Sequence, residues 1–154
     1  SIHLLFNIDN DQLDSLLVFN NALIINKDSL GTGFNQISGQ KLYGNFINNE
    51  LKKIDIIKNA ESIYYLRNSE NELVGIDRSK SGKIKILLDN NSIKKFKKIN
   101  QIDGNTYPEE DFLEELKFLK GFYFREEEKP NSIKDLFKDD PKLILTKIKS
   151  LQIN

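Results

Sequence analysis

Leu42-Tyr43-Gly44-Asn45-Phe46-Ile47-Asn48-Asn49-Glu50-Leu51-Lys52-Lys53-Ile54-Asp55-Ile56-Ile57-Lys58-Asn59-Ala60 is the stretch that decides the fold. Asn48-Asn49 marks a turn, because Asn tolerates left-handed backbone and bonds to its own main chain. Beyond the turn Ile54 and Ile56 flank Asp55. A period of two is the signature of a strand with one face buried and one exposed. The stretch therefore reads as strand, tight turn, strand.

The same unit occurs on either side. One copy runs from Leu4 to Ala22 through Asp9-Asn10-Asp11, and another from Ile84 to Ile102 through Asn90-Asn91-Ser92. Their starts at Leu4, Leu42 and Ile84 give a period of about forty residues, as in stacked arrays. Apolar residues match column by column: Ile8, Phe46 and Leu88; Leu13, Leu51 and Ile93; Leu16, Ile54 and Phe96. Leu17, Phe19 and Ile57 break the alternation, so either both faces are partly covered or the strands bend there, as a bulge would cause. Further short strands are expected at Ala22–Ile25, Ser62–Leu66 and Leu73–Ile76, with turns at Gly31-Thr32-Gly33 and Asn68-Ser69-Glu70-Asn71. Each unit would then supply three or four strands. Stacked units would bury an interior that none could bury alone. The expected fold class is all-β: repeated β-hairpins over residues 1–104 forming a twisted open sheet of jelly-roll or solenoid type. A helical and extended tail over 105–154 would cap the sheet or dock on a partner.

The tail changes pattern after Asp103-Gly104-Asn105. Pro108 and the acids Glu109, Glu110 and Asp111 suit the first turn of a helix. Phe112, Leu113, Leu116 and Leu119 recur at helical spacing, and Gly121 would end that helix. Phe122-Tyr123-Phe124-Arg125 reads as extended. Two more short helices are expected, from Ser132 to Phe137 and from Pro141 onward.

Chemistry is scarce in this chain. There is no Cys, which excludes disulfides, thiolate catalysis and Cys-based metal sites. The 23 basic and 23 acidic side chains balance to a formal charge of zero, so a broad nucleic-acid surface is not expected. The lone His3 lacks a partner for nucleophilic or metal chemistry and reads as a partly exposed strand residue. Acidic pairs lie in turns, at a helix start and in a loop rather than across a cleft. Asp9-Asn10-Asp11 lacks the Gly and distal Glu of a calcium loop. Gly31-Thr32-Gly33 lacks the Lys-Ser/Thr of a phosphate loop and reads as a turn. Lys94, Lys95, Lys97 and Lys98 read as a solvent-facing stripe that guards a sheet edge or meets anionic sugar phosphates. The chain reads as a non-enzyme, with no cofactor and no metal site.

Several segments together carry a family resemblance. They are Asp14 to Ala22, Lys27 to Gln40, Asn59-Ala60-Glu61-Ser62-Ile63-Tyr64-Tyr65, and Gly75-Ile76-Asp77. Each resembles the OstA-like (LptA-type) lipopolysaccharide-transport proteins. The segments Asp103 to Glu110 and Leu119 to Arg125 resemble the C-terminal part of the longer version found in Bacteroidetes. The resemblance implies a twisted, slightly open β-jelly-roll of V-shaped strands in the periplasm, bridging toward the inner face of the outer membrane. It implies lipopolysaccharide as ligand, with edge strands pairing to other bridge proteins or to an outer-membrane translocon. It also implies further repeats before Ser1. The groove for lipid A acyl chains would be lined by Leu4, Phe6, Ile8, Leu16, Val18, Leu42, Phe46, Ile54, Ile56, Ile84, Ile86 and Leu88. Two other readings compete. One is an assembly scaffold that binds partners at its sheet edges and holds no lipid. The other, a carbohydrate-active enzyme on a β-solenoid, needs acids in a column of successive units, and no such column is present.

Overall fold

The computed structural model describes residues 1–123. Six antiparallel strands form one open sheet in the simple order β1 to β6: β1 Ile2–Asn7, β2 Gln12–Lys27, β3 Phe34–Ile47, β4 Glu50–Arg67, β5 Leu73–Asp89 and β6 Ser92–Tyr107. Each strand pairs only with its sequence neighbours, so β1 and β6 are the two edges. Hairpins β3–β4 and β5–β6 turn through Asn48-Asn49 and Asn90-Asn91. Their φ values, 52° and 61° then 48° and 60°, are those of two-residue type I′ turns.

The strands are fewer and longer than the sequence suggests. Ala22–Ile25 continues β2, Ser62–Leu66 continues β4, and Leu73–Ile76 opens β5, so each repeat supplies two long strands rather than three or four short ones. A bend joins the pieces. Pairing skips between Phe19 and Ala22, Ser38 and Lys41, Ile57 and Ala60, and Lys80 and Ser81. At this line Asn20, Asn21, Lys58, Asn59 and Asn100 adopt left-handed backbone. Asn20, Lys58 and Asn100 are equivalent positions of the repeat, so the bulges align into one crease across the sheet.

The crease creates two arms. The first arm holds residues 12–19, 41–47, 50–57, 83–89 and 92–99, and the second holds 22–27, 34–39, 60–67, 73–81 and 101–107. Contacts across the fold show how sharply the arms close. Lys98 Nζ donates to Asp77 Oδ2 at 2.6 Å. Yet Asp77 is paired in the sheet with Thr106, and Lys98 lies eight residues away along the same strand. On a flat strand that separation is about 26 Å, at ~3.3 Å per residue. The inner faces of the two arms therefore pack against each other, and a single sheet encloses its own core. That core contains Ala22, Ile37 and Ala60 from the second arm with Leu42, Ile54, Ile56, Ile84 and Ile86 from the first.

Strand β6 runs through Asp103-Gly104-Asn105 without a break and ends at Tyr107. The helix expected beyond it is absent. Glu109–Asp111 and Glu114–Leu116 are single 3-10 turns. Phe112 and Leu119 are buried against Ile63 and Ile76 on the outer face of the second arm, which pulls the chain flat against the sheet. Phe122 and Tyr123 belong to no regular element, the expected extended segment continues past them, and the helices from Ser132 and Pro141 fall beyond residue 123. Among the described residues no helix is long and apolar enough to cross a membrane.

Candidate functional site

The inner face is the surface that the repeat builds, and its two halves differ in side-chain size. The first arm contributes Leu42, Ile54, Ile56, Ile84 and Ile86. The second contributes Ile37 and otherwise small residues, Ala22, Gly39, Ala60, Ser62, Ser79 and Ser81, all buried. Large residues on one arm lie over small ones on the other. A Cβ added at Gly39 would stand 2.4 Å from Ile56 Cγ2, so the close approach depends on the missing side chain there.

Closure is uneven across the sheet. Toward β6 the arms are bridged by side chains that stay half-buried, as are Leu88 and Ile93 beside them. Tyr64 stacks on Phe96 with ring centroids 5.3 Å apart, and Lys98 donates to Asp77 and to Ser79 Oγ, 3.1 Å away. Ser62 and Ser79 hydroxyls lie 3.0 Å apart in the same network, while the buried Ser81 Oγ has no partner. In the middle Ile56 and Ile84 are 0% exposed. Toward β1 the face loosens: Leu4, Leu16, Val18 and Ile24 are only half-buried. Strand β1 pairs with β2 over Gln12 to Val18, in the first arm.

The twelve residues proposed from sequence to line a groove thus fall into four groups. Leu42, Ile54, Ile56, Ile84 and Ile86 are enclosed in the core. Leu16, Val18 and Leu88 pack half-buried on its margin. Leu4, Phe6 and Phe46 are half-buried outside the cluster. Ile8 lies in the turn after β1 and is 41% exposed. His3 is an exposed strand residue, 3.1 Å from Ser1 Oγ through its Nε2.

The sequence reading missed a second constellation, at the far end of the second arm. Asp28, buried in the loop after β2, accepts from Arg67 Nη2 at 2.5 Å and Nε at 3.3 Å, and from Leu30 N–H at 3.1 Å. The Arg67 hydrogen bond is the main cause that holds the Asp28 carboxyl below the usual carboxylate range. Arg67 Nη1 also donates to Asn71 O at 2.7 Å, so one guanidinium ties the 28–33 loop to the 68–72 loop. Gly33 faces the Tyr65 ring so closely that a Cβ would sit 2.2 Å from it. Burial raises the Tyr65 phenol above its ordinary pKa. A cleft of about 220 Å³ lies between this loop and the tail, with Asp28, Tyr65, Arg67, Phe112 and Lys117 on its walls.

The tail is held by a side-chain amide. Gln36, 0% exposed, donates through Nε2 to Lys117 O at 2.7 Å and accepts from Leu119 N–H at 2.8 Å. Arg78 donates to Leu116 O. No periodic pattern announces such pairs; a buried Gln at a strand position is the only trace they leave in the sequence. Among the described residues no cluster of His, Cys, Asp or Glu could hold a metal ion. The cleft carries a neutralised ion pair rather than a nucleophile beside a base. No family model, no curated protein and no solved structure matches this chain.

Proposed function

We propose that this chain is a lipid-carrying segment of a β-sheet bridge for lipopolysaccharide, acting in the periplasm without catalysis. In this reading the creased sheet is part of a β-jelly-roll that continues into neighbours by strand pairing at its edges. Acyl chains lie on the inner face toward β1, against Leu4, Leu16, Val18 and Ile24. The observation that carries the reading is the uneven closure of the apolar inner face: it is enclosed at Ile56 and Ile84, bridged between the arms by Tyr64–Phe96 and Lys98–Asp77 toward β6, and half-buried at Leu4, Leu16, Val18 and Ile24 toward β1. Each methylene transferred from water onto that face contributes about 0.8 kcal/mol, so aliphatic contact alone supports tight binding.

A second reading is favoured by a different observation. Ile56 and Ile84 are completely enclosed, which leaves the middle of the interior filled by protein. A scaffold that joins partners, such as an outer-membrane translocon, through its edges and holds no lipid needs nothing more. Photocrosslinking in cells separates the two. A probe at Leu16 or Val18 is expected to give lipopolysaccharide adducts, with none from Ile56 in the core or Lys85 on the outside. Protein adducts at β1 and β6, without lipid adducts at any position, would establish the scaffold and overturn the groove.

A further inference from the structure

The outer face of the first arm carries a charge imbalance that the whole chain hides. Register places Asp55, Lys85 and Lys97 in one row across β4, β5 and β6, with Lys53, Leu87 and Lys95 in the next. Lys83 lies between Ile57 and Ile99 in the third, and Lys41 pairs with Ile57 from β3. Within these rows six lysines stand with a single acid, Asp55, which already accepts from Lys83 Nζ at 2.7 Å, and at the turn end of the face Glu50 and Asp89 are paired with Lys52. Lys53, Lys85, Lys95 and Lys97 are exposed and have no carboxylate partner among the described residues. Lys85 stands directly opposite Lys97, an arrangement that costs stability in a sheet. Edge protection accounts for lysines on β6 but not for those on β3, β4 and β5.

We infer that this face docks on an anionic lipid bilayer surface. Strands lie ~4.8 Å apart, so the lysines form a dense array whose field acts over a Debye length of about 8 Å. Between the lysines stand Ile57, Leu87 and Ile99. Toward β1 the face continues into Phe19 and Tyr43, in edge-to-face contact with centroids 6.3 Å apart. Cations interleaved with aliphatic and aromatic groups on a broad pleated face match phosphate headgroups with hydrocarbon beneath them. A single-stranded nucleic acid fits less well, because the residues among the lysines of β4 to β6 are aliphatic and offer no π-face for bases. The inference stands on the outer face and is independent of whether the inner face holds acyl chains.

Sedimentation of the full chain with vesicles tests it. Binding is expected to phosphatidylcholine vesicles that contain phosphatidylglycerol and not to phosphatidylcholine alone, and it should weaken as salt rises. Replacing Lys85, Lys95 and Lys97 by Gln should lower partitioning about fivefold per lysine. Lys80→Gln, on the second arm between Glu61 and Asp103, should leave it unchanged. Equal binding to neutral vesicles would overturn the inference, as would indifference to the triple substitution. So would a chain that retains a single-stranded oligonucleotide and leaves anionic vesicles in solution.

Discussion

The two halves of β4 are one strand in one sheet, yet they bury opposite faces. Before the crease, Ile54 and Ile56 point inward as core, while Lys53 and Ile57 face outward. After it, the inward positions are Ala60 and Ser62, and the large residues Ile63 and Tyr65 face outward beneath the tail. Apolar bulk crosses from the inner to the outer face at Lys58-Asn59. The difference shows that a creased sheet needs unequal faces. On β4, isoleucines at the inward positions of both halves would hold the arms apart. The small inner face of the second arm lets them close, and its displaced apolar residues then require a cover, which Phe112 and Leu119 supply.

The largest test of this comparison removes one side of the large-on-small contact. Ile56→Ala should cost about 2–5 kcal/mol, from lost transfer and a cavity that the crease holds open. Gly39→Ala should cost about 1–3 kcal/mol by overpacking against Ile56 Cγ2. The double variant, which deletes that Cγ2, should be clearly less destabilised than the two single effects added together. Urea unfolding with an unchanged slope reads all three. Strict additivity would mean that closure does not depend on the glycine.

A smaller effect separates the loop end of the second arm from the core. The Asp28 carboxyl is held below its ordinary pKa chiefly by Arg67. A depressed folded-state pKa contributes stability above the unfolded value of about 3.9, and that stability is lost as pH falls through the folded value. Asp28→Asn should therefore be less stable than the native chain at neutral pH, and the gap should narrow as pH drops below about 4. A gap that stays constant from neutral to acid pH would assign the loss to packing instead.

The repeat and the Asn turns were legible in the sequence, because each has a residue signature, a column of aliphatics or paired Asn residues; the alternation that slips at Phe19 and Ile57 marked the place of the crease but fitted partly covered faces as well as a bend. The closed interior was not. Plain alternation puts Ile37 on the face opposite Leu42 and Ser81 on the face opposite Ile84, and only the crease, where a one-residue slip exchanges the faces, brings them all inside. The tail misled for a related reason. Phe112, Leu116 and Leu119 have helical spacing, but their burial comes from lying along an existing apolar face, and extended chain with 3-10 turns achieves that as well. Gln36 and the Asp28–Arg67 pair join segments far apart in sequence through single polar side chains, which leave no local pattern.

The smallest effect sharpens the comparison at the crease itself. Left-handed backbone costs an ordinary L-residue about 1–2 kcal/mol, and Asn pays less because its short polar side chain bonds locally. Asn20 and Asn100 follow that rule, but the equivalent position in β4 is Lys58, at φ 64°. Lys58 is exposed and has no ion pair among the described residues, so no contact offsets the strain. Lys58→Asn should therefore raise stability by about 0.5 kcal/mol. Lys58→Val should lower it by more than that, since β-branching disfavours the left-handed region further. Both are read from denaturation midpoints against Lys53→Asn, an exposed lysine outside the crease. If all three substitutions move the midpoint equally, the crease is not held by backbone conformation, and the large-on-small packing alone folds the arms together.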